Sequence, residues 1–556
     1  MKFILTILLI ALHFPLSAQY TRYIVAFTDK NGTSHQLDNP STYLSAKSIA
    51  RRLKYKISYD STDLPVSKIY LDSIIKTGKV TIINTSKWLN QVLIQTTDEV
   101  ALAKINTFSF VRKRKAVGYR PNNIKSQDYI EEITENNALN VNMSSHSSAL
   151  NYGNSGKQIG LHSGEFLHNI GFKGKGISIA ILDGGFFNYQ SIKAFDSVRL
   201  SGNIKSTWDF IENNEMVNED DPHGMYCFSI LAGNLSGLHI GSAPESAYYL
   251  YRTEDVKTEF PVEEQYWAVA AERADSLGID MISSSLGYTT FDDPSMNYNY
   301  GDMNGKNTSI TKAAELAFKK GMIVMNSAGN SGTNSWKFIG APADGEHVLA
   351  VGAVNATGQV APFSSFGPSF DQRTKPDIAS VGWGTSLISS NGSAATGNGT
   401  SFSNPNIAGL IACLWQAFPE MSNIDIITAV KKSGSQYLNP DTRIGFGIPD
   451  MKKAFTLLEI QRISKNNPGL FNQSTLKAFP NPFLNKIKLI YKAPVSGTLD
   501  LRMLDITGKV IRKETKQILK NEVYLFEWNN LEILQGGAYF ITYSDASGKN
   551  TIRLVK

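Results

Sequence analysis

The sequence predicts an α/β protein: a parallel sheet with flanking helices, preceded by a small α+β domain and followed by a strand-rich sandwich. Three observations carry this expectation. Five apolar runs between residues 176 and 354 alternate with helical segments. A block of short alternating elements precedes them, and short strands of period two follow them after a polar break. Strand–helix alternation implies right-handed crossovers and a parallel sheet. At 556 residues the chain is too long for one core, so several domains are expected. Hydrophobic residues at 42% and charged residues at 19% suit globular domains. The two cysteines, Cys227 and Cys413, exclude a disulfide framework or a cysteine-based metal site and read as small core residues.

In chain order, Lys2 and the apolar run Phe3–Phe14, then Leu16-Ser17-Ala18, have the layout of a secretory signal peptide over residues 1–18. No other stretch is long and apolar enough for a membrane span. Residues 19–120 read as "RYIVAFT" (strand), "TYLSAKSIARRLKYK" (helix), "VTIINTS" and "QVLIQTT" (strands), "DEVALAKINTF" (helix) and "SFVRKRKAVG" (strand). That order is a small α+β sandwich. Residues 121–150, rich in Asn and Ser, read as a linker. The large domain spans 151–460. Its strands include "GISIAILDGG", "AYYLYRT", "IDMISSSLG", "MIVMNSAGN" and "VLAVGAV", with helices Glu263–Gly278 and Ser309–Gly321 between them. A second polar linker, 461–475, leads to the strand-rich tail, 476–556.

Net charge is uneven: +10 over residues 20–120, −11 over 121–466 and +6 over 467–556. A basic patch can mean nucleic acid. A basic segment beside an acidic one in one exported chain is more simply an intramolecular contact, and no nucleic-acid partner is expected.

Chemistry is expected where α/β sheets place ligands, at the C-terminal strand ends. Asp183, Ser285 and Asn330 close three of the strands. "DDPHGMYCFSILAGN" sets His223 at the start of an amphipathic helix. "GNGTSFSNPNIAG" (Gly397–Gly409) sets Ser401 at the start of another. Alone, that stretch is also ordinary helix capping by Ser401 or Ser403. Its glycines suit close approach to a substrate, and Pro405 is expected in the first turn, where a missing N–H costs little. The order Asp, His, Ser matches one of the three known triad orders and excludes the α/β-hydrolase order, whose Gly-x-Ser-x-Gly is also absent here.

On these blocks the large domain resembles the subtilisin-like serine proteases, the subtilase family. The likeness rests on "AILDGGF", "HGMYCFSILAG", "SSLG", "NSAGNSG" and "GTSFSNPNIAG", with "GSAP", "KPDI" and "GFGIPDMKKA" as landmarks. The resemblance implies a secreted serine endopeptidase acting on protein or peptide substrates. Ser401 would be its nucleophile, His223 its general base and Asp183 the residue that orients the imidazole. Asn330 and the Ser401 N–H would form the oxyanion hole, and Ser285, Leu286 and Gly287 the edge that pairs with substrate. Calcium is common in the family and Gln158 matches one family ligand. The rest cannot be assigned, so no metal site is claimed. Departures from the family pattern are Met225 and Tyr226 for Thr-His, Ser283 for Asn, and Ser380-Val381-Gly382 for Ala-Pro-Gly.

Residues 20–118 resemble the inhibitory propeptides of secreted subtilases, with "FVRKRKAVG" expected to lie in the cleft beside Ser285–Gly287. The tail resembles the sorting domain of Bacteroidetes type IX secretion, through "KAFPNPF", "LRMLDITGKVIRK" and "GGAYFITYSDASGKNTIRLVK". It implies the secretion machinery as a partner, and a released or surface-attached product. The other class of reading is a scaffold or adhesin that keeps the fold without turnover.

Overall fold

A computed structural model of the chain describes residues 20–119, 133–135, 150–218, 221–466 and 476–556. The expected signal peptide and most of both linkers lie outside these residues. Two compact units are present, residues 1–427 with 434–449, and 428–433 with 450–556.

The first unit opens with β1 (Arg22–Phe27), α1 (Ala46–Tyr55), α2 (Lys68–Ile75), β2 (Thr81–Ser86), β3 (Gln91–Gln95), α3 (Glu99–Ile105) and β4 (Val111–Gly118). The strands form an antiparallel sheet in the order β2-β3-β1-β4. Helix α2 adds to the expected order, and its short apolar run "KIYLDSII" carries little periodicity of its own. Ser45 caps α1 by accepting from the Ser48 N–H, and Lys56 ends it in the left-handed region at φ 55°. Val25, Phe27, Ile74, Val92, Ile94, Leu102 and Ile105 make the core.

β4 departs from the expectation that "FVRKRKAVG" lies in the cleft. It is an edge strand of its own domain, pairing antiparallel with β1 from Arg22↔Gly118 to Phe27↔Val111. Val111 and Ala116 pack on the small core, Val117 packs on the other side in the cluster that holds Phe260 and Val262, and Arg112, Lys113 and Lys115 stay exposed. A strand is held in place where its apolar residues are buried.

The same unit continues with β5 (Ile133–Glu135), α4 (Gly156–Gly160), α5 (Gly164–Asn169), β6 (Ser178–Asp183), α6 (Asp196–Leu200), β7 (Ile204–Asp209), α7 (His223–Ala232), β8 (Asn234–Leu235), β9 (His239–Ile240) and β10 (Ala247–Arg252). Next come α8 (Val262–Leu277), β11 (Met281–Ser284), α9 (Ser309–Lys319), β12 (Ile323–Ser327), β13 (Leu349–Asn355), β14 (Ile378–Ile388), β15 (Ala394–Asn398), α10 (Thr400–Ala417) and the start of α11 (Asn423–Ser433), whose residues from 428 on belong to the second unit. Nine strands form one sheet in the order β5-β15-β14-β13-β12-β11-β6-β10-β7. Pairing is parallel from β14 to β7 and antiparallel at β14–β15 and β15–β5. β6 is buried at all six residues, as a central strand covered on both faces must be. Helix α10 is buried along almost its whole length, so it has no polar face toward water, and the polar residues of its first turns, among them Ser403, Asn404 and Asn406, are buried too.

The small domain sits on α8 and α9 through polar contacts. Arg51 and Arg52 both bond Asp275, at 2.6 and 2.7 Å, and Arg52 also reaches Asp63 at 3.0 Å. Lys320 returns the favour with Asp63 at 2.8 Å, so charge complementarity runs both ways. Glu272 accepts from the Ser86 hydroxyl and from the backbone N–H groups of Lys87 and Trp88.

The second unit holds α12 (Met451–Asn466) and seven strands, β16 (Leu476–Phe479), β17 (Ile487–Lys492), β18 (Gly497–Leu504), β19 (Val510–Ile518), β20 (Val523–Trp528), β21 (Ala538–Asp545) and β22 (Gly548–Val555). Two antiparallel sheets, β16-β17-β20 and β19-β18-β21-β22, share a core around Leu489, Leu501, Met503, Trp528 and Ile541. This is the sandwich that period-two alternation predicts. Among the described residues no helix is long and apolar enough to cross a membrane.

Candidate active site

Asp183 is the last residue of β6 and 1% exposed. Its Oδ1 accepts from the Gly184 N–H at 2.8 Å and from His223 Nδ1 at 2.6 Å. A carboxylate accepts only, so the proton of this pair lies on Nδ1 and Nε2 is the basic nitrogen. His223 is the first residue of α7, and its backbone N–H donates to Asp221 Oδ1 at 2.8 Å. Its side chain keeps 24% of its surface open, whereas that of Asp183 keeps 1%. The buried carboxylate therefore faces a solvent-accessible ring.

Ser401 is the second residue of α10, after Gly399 as N-cap and Thr400. Neither Ser401 nor Ser403 caps this helix by its side chain. At this position the Ser401 N–H has no intrahelical acceptor and lies at the positive end of the helix dipole. Asn330 is tied to the same turn: its Oδ1 accepts from the Thr400 N–H and hydroxyl, both at 2.9 Å. The Thr400 hydroxyl oxygen in turn accepts from the Gly329 N–H at 3.1 Å.

Two details of the serine block differ from expectation. Pro405 is the sixth residue of α10, one turn past the free N–H groups, so its missing N–H is felt. The carbonyl it leaves without an i+4 donor is that of Ser401. That oxygen accepts instead from the Ser285 hydroxyl at 2.9 Å and the Cys227 thiol at 3.4 Å. Gly397 makes room for protein rather than substrate, because a Cβ there would lie 2.4 Å from the Phe402 ring.

Ser285, Leu286 and Gly287 continue β11 beyond its last paired residue. The Leu286 carbonyl accepts from Asn326 Nδ2 at 2.8 Å, and Tyr288 bonds Ala341. Gly287 is exposed. The structure thus gathers the Asp183–His223 pair at one strand end and a Ser401–Asn330–Ser285 group around the start of α10. Ser283 and Ser380, two departures from the family pattern, are both engaged: Asn404 Nδ2 donates to Ser283, and Ser380 pairs with His162 and Asn406.

Sequence reasoning missed two neighbours. Cys227 offers its sulfur within 4.8 Å of the ligand atoms of Asp183 and His223. Its place at i+4 from His223 on one helix was the available signal. Glu254 is the other. Burial pushes its carboxyl up to about 8, the nearby Asp183 charge adds to this, and the Tyr288 hydroxyl donates to it at 3.1 Å. No local pattern marks it. Gln158 does not fit a calcium ligand, because both amide atoms are bound to the Ser386 backbone, at 2.8 and 3.2 Å.

Comparison with known proteins agrees with this architecture. Residues 174–447 match the subtilase family, residues 22–135 the Bacteroidota peptidase S8 propeptide domain, and residues 477–556 the secretion system C-terminal sorting domain. Subtilisin of Bacillus pumilus is 26% identical over 297 residues, covering 52% of this chain and 94% of the relative. Subtilisin NAT of Bacillus subtilis subsp. natto is 26% identical over the same length and is covered to 68%. The crystal structure of MycP1 with its N-terminal propeptide removed aligns with a TM-score of 0.43 at 21% identity, covering 54% of this chain and 96% of that one. The sorting domain directs export across the outer membrane to the medium or the cell surface. Residues 174–447 are a subtilase-family domain, and the chain is a subtilisin-like serine endopeptidase made with its own propeptide and a type IX sorting domain.

Proposed function

We propose that Asp183, His223 and Ser401 form the catalytic triad of this endopeptidase and that its substrates are proteins and peptides. The observation that carries the reading is the 2.6 Å bond from His223 Nδ1 to the buried Asp183 carboxylate. It fixes the tautomer in which Nε2 is the basic nitrogen that takes the Ser401 proton. Ser401 Oγ attacks the scissile carbonyl carbon, Nε2–H then protonates the leaving amine, and Asp183 stabilises the imidazolium between the two steps. Asn330 has its Oδ1 committed to Thr400, so its Nδ2 is the donor end. With the Ser401 N–H it forms the oxyanion hole. The edge at Ser285–Gly287, which opens to solvent at Gly287, binds the substrate backbone by strand addition. The chain divides into a signal peptide (1–18), propeptide (19–120), catalytic domain (151–460) and sorting domain (476–556), with linkers at 121–150 and 461–475. The test is a fluorophosphonate probe on the secreted protein. Ser401→Ala should abolish labelling and casein hydrolysis with an unchanged circular dichroism spectrum. Labelling that persists at another residue would overturn the assignment.

A further inference from the structure

The sheet of the small domain has a second face. On β1, Tyr23, Val25 and Phe27 belong to the small core, so Ile24 and Ala26 point the other way. Antiparallel pairing sets Lys115 opposite Ile24 and Lys113 opposite Ala26 on that face. A cavity of about 430 Å³ lies between this face and the starts of α8 and α9, where Pro261, Glu264, Ser309 and Lys312 line it. Its size is that of a small-molecule site.

The lining divides by chemistry. Ala26, Val117 and Pro261 are buried and Ile24 and Leu89 half-buried, so the inner walls are apolar. Arg112, Lys113, Lys115 and Lys312 are exposed, so the charge stands at the mouth. Among the described residues none of these four is ion-paired, and Lys312 Nζ donates to the Asn307 carbonyl at 3.0 Å. Glu264 does not neutralise them, because its two oxygens accept from the Tyr298 hydroxyl at 2.9 and 2.8 Å.

We propose that this cavity is a binding site for an amphiphilic anion, an alkyl or acyl chain that ends in a phosphate or carboxylate head. The chain lies on Ile24, Ala26 and Val117, and the head is held by Lys113, Lys115 and Lys312. Exposed lysines alone bind any anion weakly, and an apolar recess alone takes any small hydrophobe. Together they require both properties in one molecule. One wall belongs to the small domain and the other to the catalytic domain, so the site exists only while the two are associated. By linkage, whatever fills it tightens that association. No step of the inference involves Ser401, so it stands or falls apart from the triad.

The test is a calorimetric titration of the full chain, with its propeptide bound, using butyl, hexyl and octyl phosphate below their micelle concentrations. Octanol and inorganic phosphate are the single-property controls. One saturable site is expected, with affinity rising about three- to fourfold per added methylene. Both controls should bind at least about tenfold more weakly than octyl phosphate, since each lacks one half of the contact. Lys113→Gln with Lys115→Gln should weaken octyl phosphate by about tenfold or more and leave octanol unchanged. Ala26→Leu fills the floor without touching charge, and should abolish the gain from hexyl to octyl. The chain-length series on the wild-type chain decides the matter whether or not the variants fold. Affinity that ignores chain length would mean an adventitious anion on surface lysines only, and overturns the inference. So does the absence of saturable binding, equal binding by the mature enzyme freed of its propeptide, or a folded double variant that binds octyl phosphate as tightly as wild type.

Discussion

Asp275 is the residue on which the propeptide contact turns. Its side chain is 0% exposed and receives Arg51 at 2.6 Å and Arg52 at 2.7 Å. Arg51 also donates to the Asp275 and Ile279 carbonyls, and burial pulls its guanidinium below the usual arginine range. Asp275→Ala leaves two buried guanidinium groups facing one another; Arg52 keeps Asp63, and Arg51 keeps only carbonyls. Removing one partner of a buried pair costs about 3–5 kcal/mol. At ~1.4 kcal/mol per decade this is a loss of roughly 10²–10³ in affinity for the propeptide. Asp275 lies in the last turns of α8, away from the Asp183–His223 pair, so the mature enzyme should turn over a small peptide at its normal rate. The assay is inhibition of mature wild-type and Asp275→Ala enzyme by added propeptide, residues 20–119, over a concentration series. An inhibition constant that changes less than tenfold would refute the reasoning, as would a parallel fall in uninhibited activity. Asp275→Asn separates charge from packing, and should lie between the two.

Other perturbations have equally direct readouts. Asn330→Ala should lower kcat by about 10²–10³ with KM nearly unchanged, because an oxyanion donor acts mainly in the transition state; a change confined to KM would contradict that role. Pro405→Ala offers the Ser401 carbonyl a helical N–H in competition with Ser285, so kcat should fall while the thermal midpoint holds or rises, and an unchanged kcat would show that the Ser285 bond does not position the nucleophile. Burial pushes Glu264 up to about 7 from 4.5, against the Tyr298 hydroxyl bonds that favour its charged form. The native state therefore holds the proton more tightly than the unfolded chain. The stability Glu264 contributes is whole below about 4.5 and is lost as pH rises through about 7. Glu264→Gln should remove up to about 3 kcal/mol of that pH dependence, seen as thermal midpoints at pH 5 and 8 that lie closer together than in wild type. Equal spacing in the two proteins would refute the shift.

The local patterns are legible in the amino-acid order alone. A run such as "ISIAILD" has no polar face to show water, so it becomes the buried strand β6 with Asp183 at its end. "GTSFSNPNIAG" places Ser401 at a helix start for equally local reasons, and the tail's alternation makes a sandwich whatever precedes it. Tertiary structure decided which partner each locally exposed group takes. The basic strand "VRKRKAVG" has an edge to offer, and the burial of Val111 and Ala116 on the propeptide core and of Val117 beside Phe260 and Val262 selects β1 over the cleft. Pro405 guarantees that the Ser401 carbonyl lacks its helical donor, yet that Ser285 and Cys227 supply the replacement depends on two distant segments. The seating of Ile133 against Phe402 and the burial of Glu254 near Asp183 are of the same kind. The physical reason is range. Periodicity and missing donors are properties of a few consecutive residues, whereas an acceptor's partner, a strand's neighbour and a carboxyl's proton affinity are set by whatever the folded chain brings alongside.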